Sequence, residues 1–266
     1  MSSYTDQKYL KDDQYKDASN LNARILIHQL FSENKYGWAP WVFDVLETLP
    51  KKANVLELGS GPAFIWTQCP ERIPAEWQIT LSDLSSGMLA TAQEKLTRVQ
   101  HDFTYREIDA QEIPFDDATF DIVIANHMLY HVPDRPKALA EIKRVLKDDG
   151  VLIAATNGDK HLAETLVWFE MAADGDDFTP MGNPFTLQNG LPQLEPFFSS
   201  IELLRYEDNL HVTDLDLMMA YVRSVITVKG FPSADLGKVE TILQKELAEK
   251  GEIFIRKDSG IFKAKN

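Results

Sequence analysis

The chain holds one cysteine, Cys69, in 266 residues. A lone thiol closes no internal disulfide and builds no cysteine-based metal cluster. It fits a reducing compartment, where Cys69 reads as a small buried apolar residue. Cationic charge is also scarce, with 27 Lys and Arg against 41 Asp and Glu and a formal net charge of −14. Nucleic acids and anionic membranes are held by cationic surface, so neither is expected as the main partner. No apolar run approaches the ~18 residues of a spanning helix. The opening "MSSYTDQKYLKDDQYKD" lacks the apolar core of a secretory signal. The expectation is a cytoplasmic protein with no membrane contact. No internal repeat or low-complexity tract appears, and no feature fixes an oligomeric state.

What is present is a rhythm. "NVLELG" (54–59), "WQITLSD" (77–83), "FTYREID" (103–109), "FDIVIAN" (120–126) and "GVLIAAT" (150–156) are short strand patterns bounded by Gly, Pro, Asp or Asn. Helical patterns lie between them, at Ser86–Val99 and at Asp134–Lys147, the latter with Asp134 as cap, Pro136 in its first turn and "KDDG" as its stop. Alternation of this length predicts βαβ units and a mostly parallel α/β sheet covered on both faces. Two helices are expected ahead of it, at about 19–31 and 40–49. Residues 1–50 therefore read as an N-terminal arm and helical cap, and 51–266 as the main domain. Past Thr156 the pattern loosens into a turn-rich insert, taken as a lid at about 157–196. A strand at 201–206, helices at 215–228 and 233–250, and two short strands about an Asp-Ser-Gly turn follow.

The first strand runs into Gly59-Ser60-Gly61. Glycines there permit a tight turn and let a ligand touch the backbone. Two glycines alone are a weak signal, since many strand-to-helix turns carry them. A dinucleotide fingerprint, G-x-G-x-x-G, needs a third glycine where this chain has Phe64, and the phosphate loop G-x-x-x-x-G-K-[ST] is absent. Three more polar strand ends share the same rim. Asp83 lies 22 residues past Gly61 and suits ribose hydroxyls, although it or Ser85 could instead cap the following helix. Asp109 ends the third strand, and Asn126-His127 end the fourth.

This combination resembles the class I S-adenosylmethionine-dependent methyltransferases, in particular the broad small-molecule (type 11-like) group. The matching segments are "VLELGSGPA", "ITLSDLSSGML", "IDAQEIPFDDATFDIVIANHMLYHV" and "ALAEIKRVLKDDGVLIAAT", in unbroken order from residue 55 to 156. The family usually has a third glycine at the position of Ala63, and a Lys-Pro-Gly-Gly turn where this chain has "KDDG". The resemblance implies a Rossmann-like, doubly wound, mostly parallel seven-stranded sheet with an N-terminal helical cap and a lid insert after strand five. It implies S-adenosyl-L-methionine as cofactor, S-adenosyl-L-homocysteine as product, no metal, and methyl transfer to a small-molecule O, N or C nucleophile. In that reading Gly59, Ser60 and Gly61 cradle the methionine portion, and Glu57 addresses its amino group directly or through water. Asp83 holds the ribose; Leu84 and Met88 lie against the adenine, which Asp109 and Ala110 address. Asn126 closes over the methionine chain and places His127 near the sulfonium. The alternatives are an enzyme that uses this cofactor without methylating, and a methyltransferase of RNA or protein, which the charge disfavours.

Deprotonating a hydroxyl or ammonium acceptor invites a general base, and His127 is the candidate by position. A structural hydrogen-bonding role is equally open to it. Arg24 and His28, four residues apart, share one face of the first long helix, and Arg24 could reach the cofactor carboxylate. His161 and His211 could line a substrate pocket; His131 suits a turn and His101 a surface position. Aromatic residues cluster at "KYGWAPWVF" and "LVWFEMAADGDDF". Tyr15, Tyr36, Trp38, Trp168 and Phe178 are therefore candidates for an aromatic pocket receiving a cationic or planar substrate.

Overall fold

Strand-forming residues on both sheet faces and helix-forming residues between them set the order of elements. The computed structural model describes residues 5–14, 19–172, 182–225 and 235–266. In chain order these hold α1 (Gln7–Tyr9), a π-turn (Leu10–Gln14), α2 (Ser19–Phe31), α3 (Trp38–Leu46), β1 (Lys52–Leu58), α4 (Phe64–Gln68), β2 (Glu76–Asp83), α5 (Ser86–Leu96), β3 (Phe103–Glu107) and β4 (Phe120–Asn126). They continue with α6 (Arg135–Val145), β5 (Leu146–Asn157), α7 (Ala163–Ala172), α8 (Gly190–Leu194), β6 (Ser200–Tyr206), β7 (Asn209–Val212), α9 (Leu215–Val225), α10 (Leu236–Lys250), β8 (Ile253–Arg256) and β9 (Ser259–Lys265).

Seven strands form one sheet in the order β3-β2-β1-β4-β5-β9-β6. The first five are parallel, and β9 runs antiparallel to both β5 and β6. This is the doubly wound, mostly parallel sheet that the alternation predicts. β1 and β4 are central, and their apolar runs are buried on both faces as a covered parallel sheet requires. One apolar cluster, with Phe43, Val55, Trp66 and Ile79, fills one face; another, with Leu56, Val123, Leu139, Ile142 and Phe262, fills the other. The chain order reverses between β1 and β4, so a crevice opens above their carboxyl ends.

A third cluster builds the roof of that crevice. Ile27 of α2, Phe169 of α7, Met218 and Val222 of α9, Leu243 of α10 and Ile253 and Ile255 of β8 are buried together. The cap thus joins the N-terminal helix to segments on either side of β6, with α2 packed on α9. β7 and β8 pair as a separate two-stranded sheet within it.

One local expectation is corrected. "KDDG" does not stop a helix; it is already strand, because Leu146 pairs with Phe120 and a register shift before Ile122 absorbs the extra residues. The two short strands expected at the end of the chain are present as β8 and β9; β8 pairs with β7, while β9 inserts between β5 and β6.

Candidate active site

The turn after β1 is built from left-handed backbone. Gly59, Gly61 and Ala63 have φ of 64°, 53° and 58°. Glycine adopts this conformation freely, whereas an L side chain pays about 1–2 kcal/mol, so Ala63 carries a strain that a glycine there would avoid. A Cβ on Gly59 would stand 2.7 Å from Cβ of Met128, which makes that glycine a steric requirement. The turn is pinned by the N–H of Ser60, which donates to the carbonyl of Ser82 at 2.8 Å. The hydroxyl of Ser60 is buried without a partner among the described residues.

Asp83 ends β2, and the cap question is settled by geometry. Oγ of Ser85 accepts the N–H of Met88 and caps α5. Asp83 instead accepts the N–H groups of Gly61 (2.9 Å) and Ser85 (2.8 Å), one on each oxygen. The backbone of Leu84 bonds to it as well, and a carboxylate has about four acceptor sites, so capacity for one further hydrogen bond remains. Burial raises its pKa against those backbone bonds.

Glu57, at the end of β1, is buried, and Nε1 of Trp66 donates to its Oε2 at 2.5 Å. Burial pushes the carboxyl up to about 7. Asn126 ends β4 with Oδ1 buried and unpartnered among the described residues. Asp109 is tethered: Gln111 donates from its backbone (2.9 Å) and side chain, and Nε2 of Gln7 donates from the N-terminal segment at 3.0 Å. Burial alone would raise the Asp109 carboxyl, but these bonds outweigh it and hold it low. Lys11 pairs with Glu107 beside it, and Leu10 is buried below, so residues 5–14 strap the outer end of the rim.

These groups line one cavity of about 960 Å³. That lies at the upper end of the ~300–1,000 Å³ of small-molecule sites, with room for two ligands. Glu57, Gly59, Ser60, Gly61, Asp83, Leu84, Met88, Asp109, Ala110, Asn126 and His127 all border it, as do Arg24, Tyr36 and Trp38. Arg24 directs its guanidinium at Ser224 of α9, donating to Oγ at 3.3 Å and to the carbonyl, so it ties α2 to α9 within the wall. The hydroxyl of Tyr36 donates to Asp44 at 2.7 Å.

Trp168 requires a correction. It is buried in the cap cluster and forms no part of the cavity wall, because its face of α7 packs inward on α10 and β8. Tyr15 and Phe178 lie outside the described residues. Among the other histidines, His28, His131 and His161 line the cavity, whereas His211 lies outside it between Glu33 and Glu252 and His101 packs on Phe103.

The inner end of the cavity carries groups with no sequence signal. Lys257, between β8 and β9, forms a buried ion pair with Asp208. Asp208 also accepts the hydroxyl of Ser32 (2.8 Å) and the N–H of Asn34 (2.9 Å). Nζ of Lys257 lies 5.4 Å from the Tyr206 ring centroid. His127 has φ of 55° and its ring sits 5.1 Å from that of Trp38, which also meets Tyr206 edge-on at 5.3 Å. Burial, and then the charge of Lys257, lower His28 to about 3 and His127 to about 4. Both rings are neutral at physiological pH.

The core segment matches known proteins. Residues 56–154 match the model of the methyltransferase domain family. Over 99 residues the chain is 36% identical to the ubiquinone/menaquinone biosynthesis C-methyltransferase UbiE of Idiomarina loihiensis, covering 36% of this chain and 39% of that protein. The UbiE of Xanthomonas oryzae pv. oryzae gives the same identity and coverage. The chain thus spans about two fifths of the length of the curated relatives it matches. Among solved structures, phosphoethanolamine N-methyltransferase 2 of Haemonchus contortus, in complex with S-adenosyl-L-methionine, superposes with a TM-score of 0.59 at 20% identity, over 98% of this chain and 59% of that one. The [4+2]-cyclase SpnF superposes with a TM-score of 0.53 at 18% identity, over 85% of this chain and 80% of that one. The segment 56–154 is thus similar to the methyltransferase domain family, and the sheet order around it is the fold of the solved methyltransferase structures.

Proposed function

We propose that this protein binds S-adenosyl-L-methionine above β1, β2 and β4 and methylates a small molecule held under the cap. The observation that carries this reading is the set of polar groups left over after folding. Ser60 Oγ and Asn126 Oδ1 are buried without partners among the described residues, and both residues border the crevice that Glu57 and Asp83 share. Buried polar atoms without partners cost about 1–3 kcal/mol each, so a ligand that satisfies them is favoured.

The residues fit the cofactor part by part. Gly59 to Gly61 give a side-chain-free cradle for the methionine portion. Glu57 answers an ammonium, the remaining acceptor capacity of Asp83 answers a ribose hydroxyl, and Leu84, Met88 and Ala110 offer apolar surface to a planar base. Asp109 and Asn126 supply polar contacts at the two ends, and Arg24 and His127 border the remaining wall. The cofactor, when bound, supplies an electrophilic methyl group. The chain's part is to align the acceptor, exclude water beneath the cap and take up a proton.

The acceptor's nucleophilic atom is O, N or C. The net charge of −14 disfavours RNA as acceptor, and a concave cavity of about 960 Å³ suits a small molecule. No metal is needed for this chemistry, and no cluster of three or more metal-ligating side chains occurs among the described residues. An enzyme that holds the cofactor without transferring its methyl is the second reading, because the same fold serves the cyclase SpnF. Incubation with S-adenosyl-L-methionine and a library of small acceptors, read by mass, separates the two: a product heavier by one methyl group supports transfer. A modified acceptor of unchanged methyl count supports the second reading.

A further inference from the structure

The outer end of the cavity, where the cofactor reading above places the adenine, holds a further polar group. Asp109 lies just past β3, and four donor contacts fall on its two oxygens. Oδ1 accepts the backbone N–H of Gln111 at 2.9 Å and Nε2 of Gln111 at 3.0 Å. Oδ2 accepts that same Nε2 at 3.0 Å and Nε2 of Gln7 at 3.0 Å. A carboxylate has about four acceptor sites, so the capacity of Asp109 is taken up by the protein itself. A base amine that approaches this rim needs another acceptor.

Two amides touch Asp109, and they differ in what they have left. Gln111 is committed at both ends, because its Oε1 accepts the backbone N–H of Asp134 at 3.0 Å. Gln7 gives Asp109 one hydrogen of its Nε2; its other N–H and its Oε1 have no partner among the described residues, and Gln7 borders the cavity. The segment that carries it is held in place locally. The Asp6 carboxylate caps α1 by accepting the N–H of Tyr9 at 3.0 Å, Leu10 is buried, and Lys11 pairs with Glu107.

The direction of the Gln7 amide is fixed by its partner. An ionised carboxylate only accepts, so the NH₂ faces Asp109 and Oε1 faces away. A glutamine without such a partner turns its amide to suit either a donor or an acceptor, whereas turning this one sets Oε1 against the Asp109 charge. The bond to a charged acceptor also polarises the amide and strengthens Oε1 as an acceptor. A carbonyl oxygen beside a free N–H is the pattern with which glutamine pairs to the 6-amino group and adjacent ring nitrogen of adenine. A base with oxygen at C6 sets that oxygen against Oε1.

We propose that Gln7 reads the amino edge of the cofactor's adenine, with Asp109 as the positioning residue that fixes the direction of its amide. The N-terminal segment is then part of the specificity of the site, and Asp109 acts on the base through Gln7.

The test is calorimetric titration of the full chain with S-adenosyl-L-homocysteine and with its 6-oxo analogue, S-inosyl-L-homocysteine. Wild-type protein should prefer the 6-amino ligand by about tenfold or more. Gln7→Leu should cut that preference by about fivefold or more, chiefly by weakening the 6-amino ligand. Asp109→Asn should cut it similarly, because an asparagine amide can donate to Gln7 Oε1 and lets the Gln7 amide turn. Gln7→Leu/Asp109→Asn should cut it no further than Gln7→Leu alone. A purely structural role of either residue weakens both ligands alike and leaves the preference standing. A preference intact in Gln7→Leu but lost in Asp109→Asn means that Asp109 reads the base directly, and overturns the assignment, as does a wild type that does not discriminate. Well-folded wild type that binds neither ligand removes the cofactor reading itself, and the role of Gln7 falls with it.

Discussion

The indole N–H of Trp66 donates to Oε2 of Glu57 at 2.5 Å, deep below the glycine turn. Burial pushes that carboxyl up to about 7, the charge of Asp83 adds to the rise, and the indole bond opposes it. The folded state thus keeps a proton that the unfolded chain sheds near 4.5. Stability attributable to Glu57 falls as pH rises from about 4.5 through 7, at a cost on the order of 3 kcal/mol above that window. A cationic ligand group beside Glu57 reverses the balance, because it selects the ionised form.

Cofactor affinity is therefore expected to rise with pH through about 7 and to level off above it, by roughly tenfold between pH 6 and pH 8. Calorimetric titrations of S-adenosyl-L-methionine across that range check this. A flat profile would separate Glu57 from the ammonium. In Trp66→Phe the opposing bond is gone, so the midpoint should move to higher pH; stability should fall by about 2 kcal/mol in urea unfolding from the lost bond and packing.

Asp83 and Ser85 divide two tasks that the sequence leaves merged. Asp83→Ala should weaken cofactor binding more than tenfold. Ser85→Ala should leave affinity within about threefold while lowering stability by about 1 kcal/mol through loss of the helix cap. Equal effects of both substitutions on affinity would contradict this division.

Gly59→Ala places a methyl 2.7 Å from Met128 on a backbone with φ of 64°. The left-handed conformation alone costs about 1–2 kcal/mol. A clear fall in melting temperature and at least tenfold weaker cofactor binding are expected, both measurable by thermal shift with and without ligand.

Asp208→Ala removes the partner of buried Lys257. An uncompensated buried charge costs about 3–5 kcal/mol, so this variant should show a marked drop in its urea midpoint. Lys257→Met/Asp208→Asn should recover much of that loss, which a mere packing defect at position 208 would not allow. The Asp208 carboxylate is held low against its burial by Lys257 and the Asn34 N–H. Its contribution is therefore present above the usual carboxylate range and is lost as pH falls below it.

The sheet was readable in the sequence because its signals are local. Each strand is a short apolar run closed by Gly, Asp or Asn, and each helix carries its stripe and cap, as Asp134 does for α6. The polar rim above the strand ends was readable for the same reason, since one strand end supplies one polar residue. The cap and the Lys257 end of the cavity were not. Lys257, Asp208 and Ser32 meet from positions far apart in the chain, and a lysine in "IRKDSG" looks like any solvated turn residue. Trp168 misled because an aromatic on a cap helix reads the same whether it faces a ligand or, as here, the cap's own core. "KDDG" misled because only the pairing of Leu146 with Phe120 shows the strand to begin there.

The most direct measurement is calorimetric titration of the folded protein with S-adenosyl-L-methionine and, separately, S-adenosyl-L-homocysteine. One molecule of each should bind per chain, competitively, and Asp83→Ala should weaken both more than tenfold. Well-folded protein that binds neither, or an Asp83→Ala variant with unchanged affinity, would contradict the cofactor site proposed above β1 and β2.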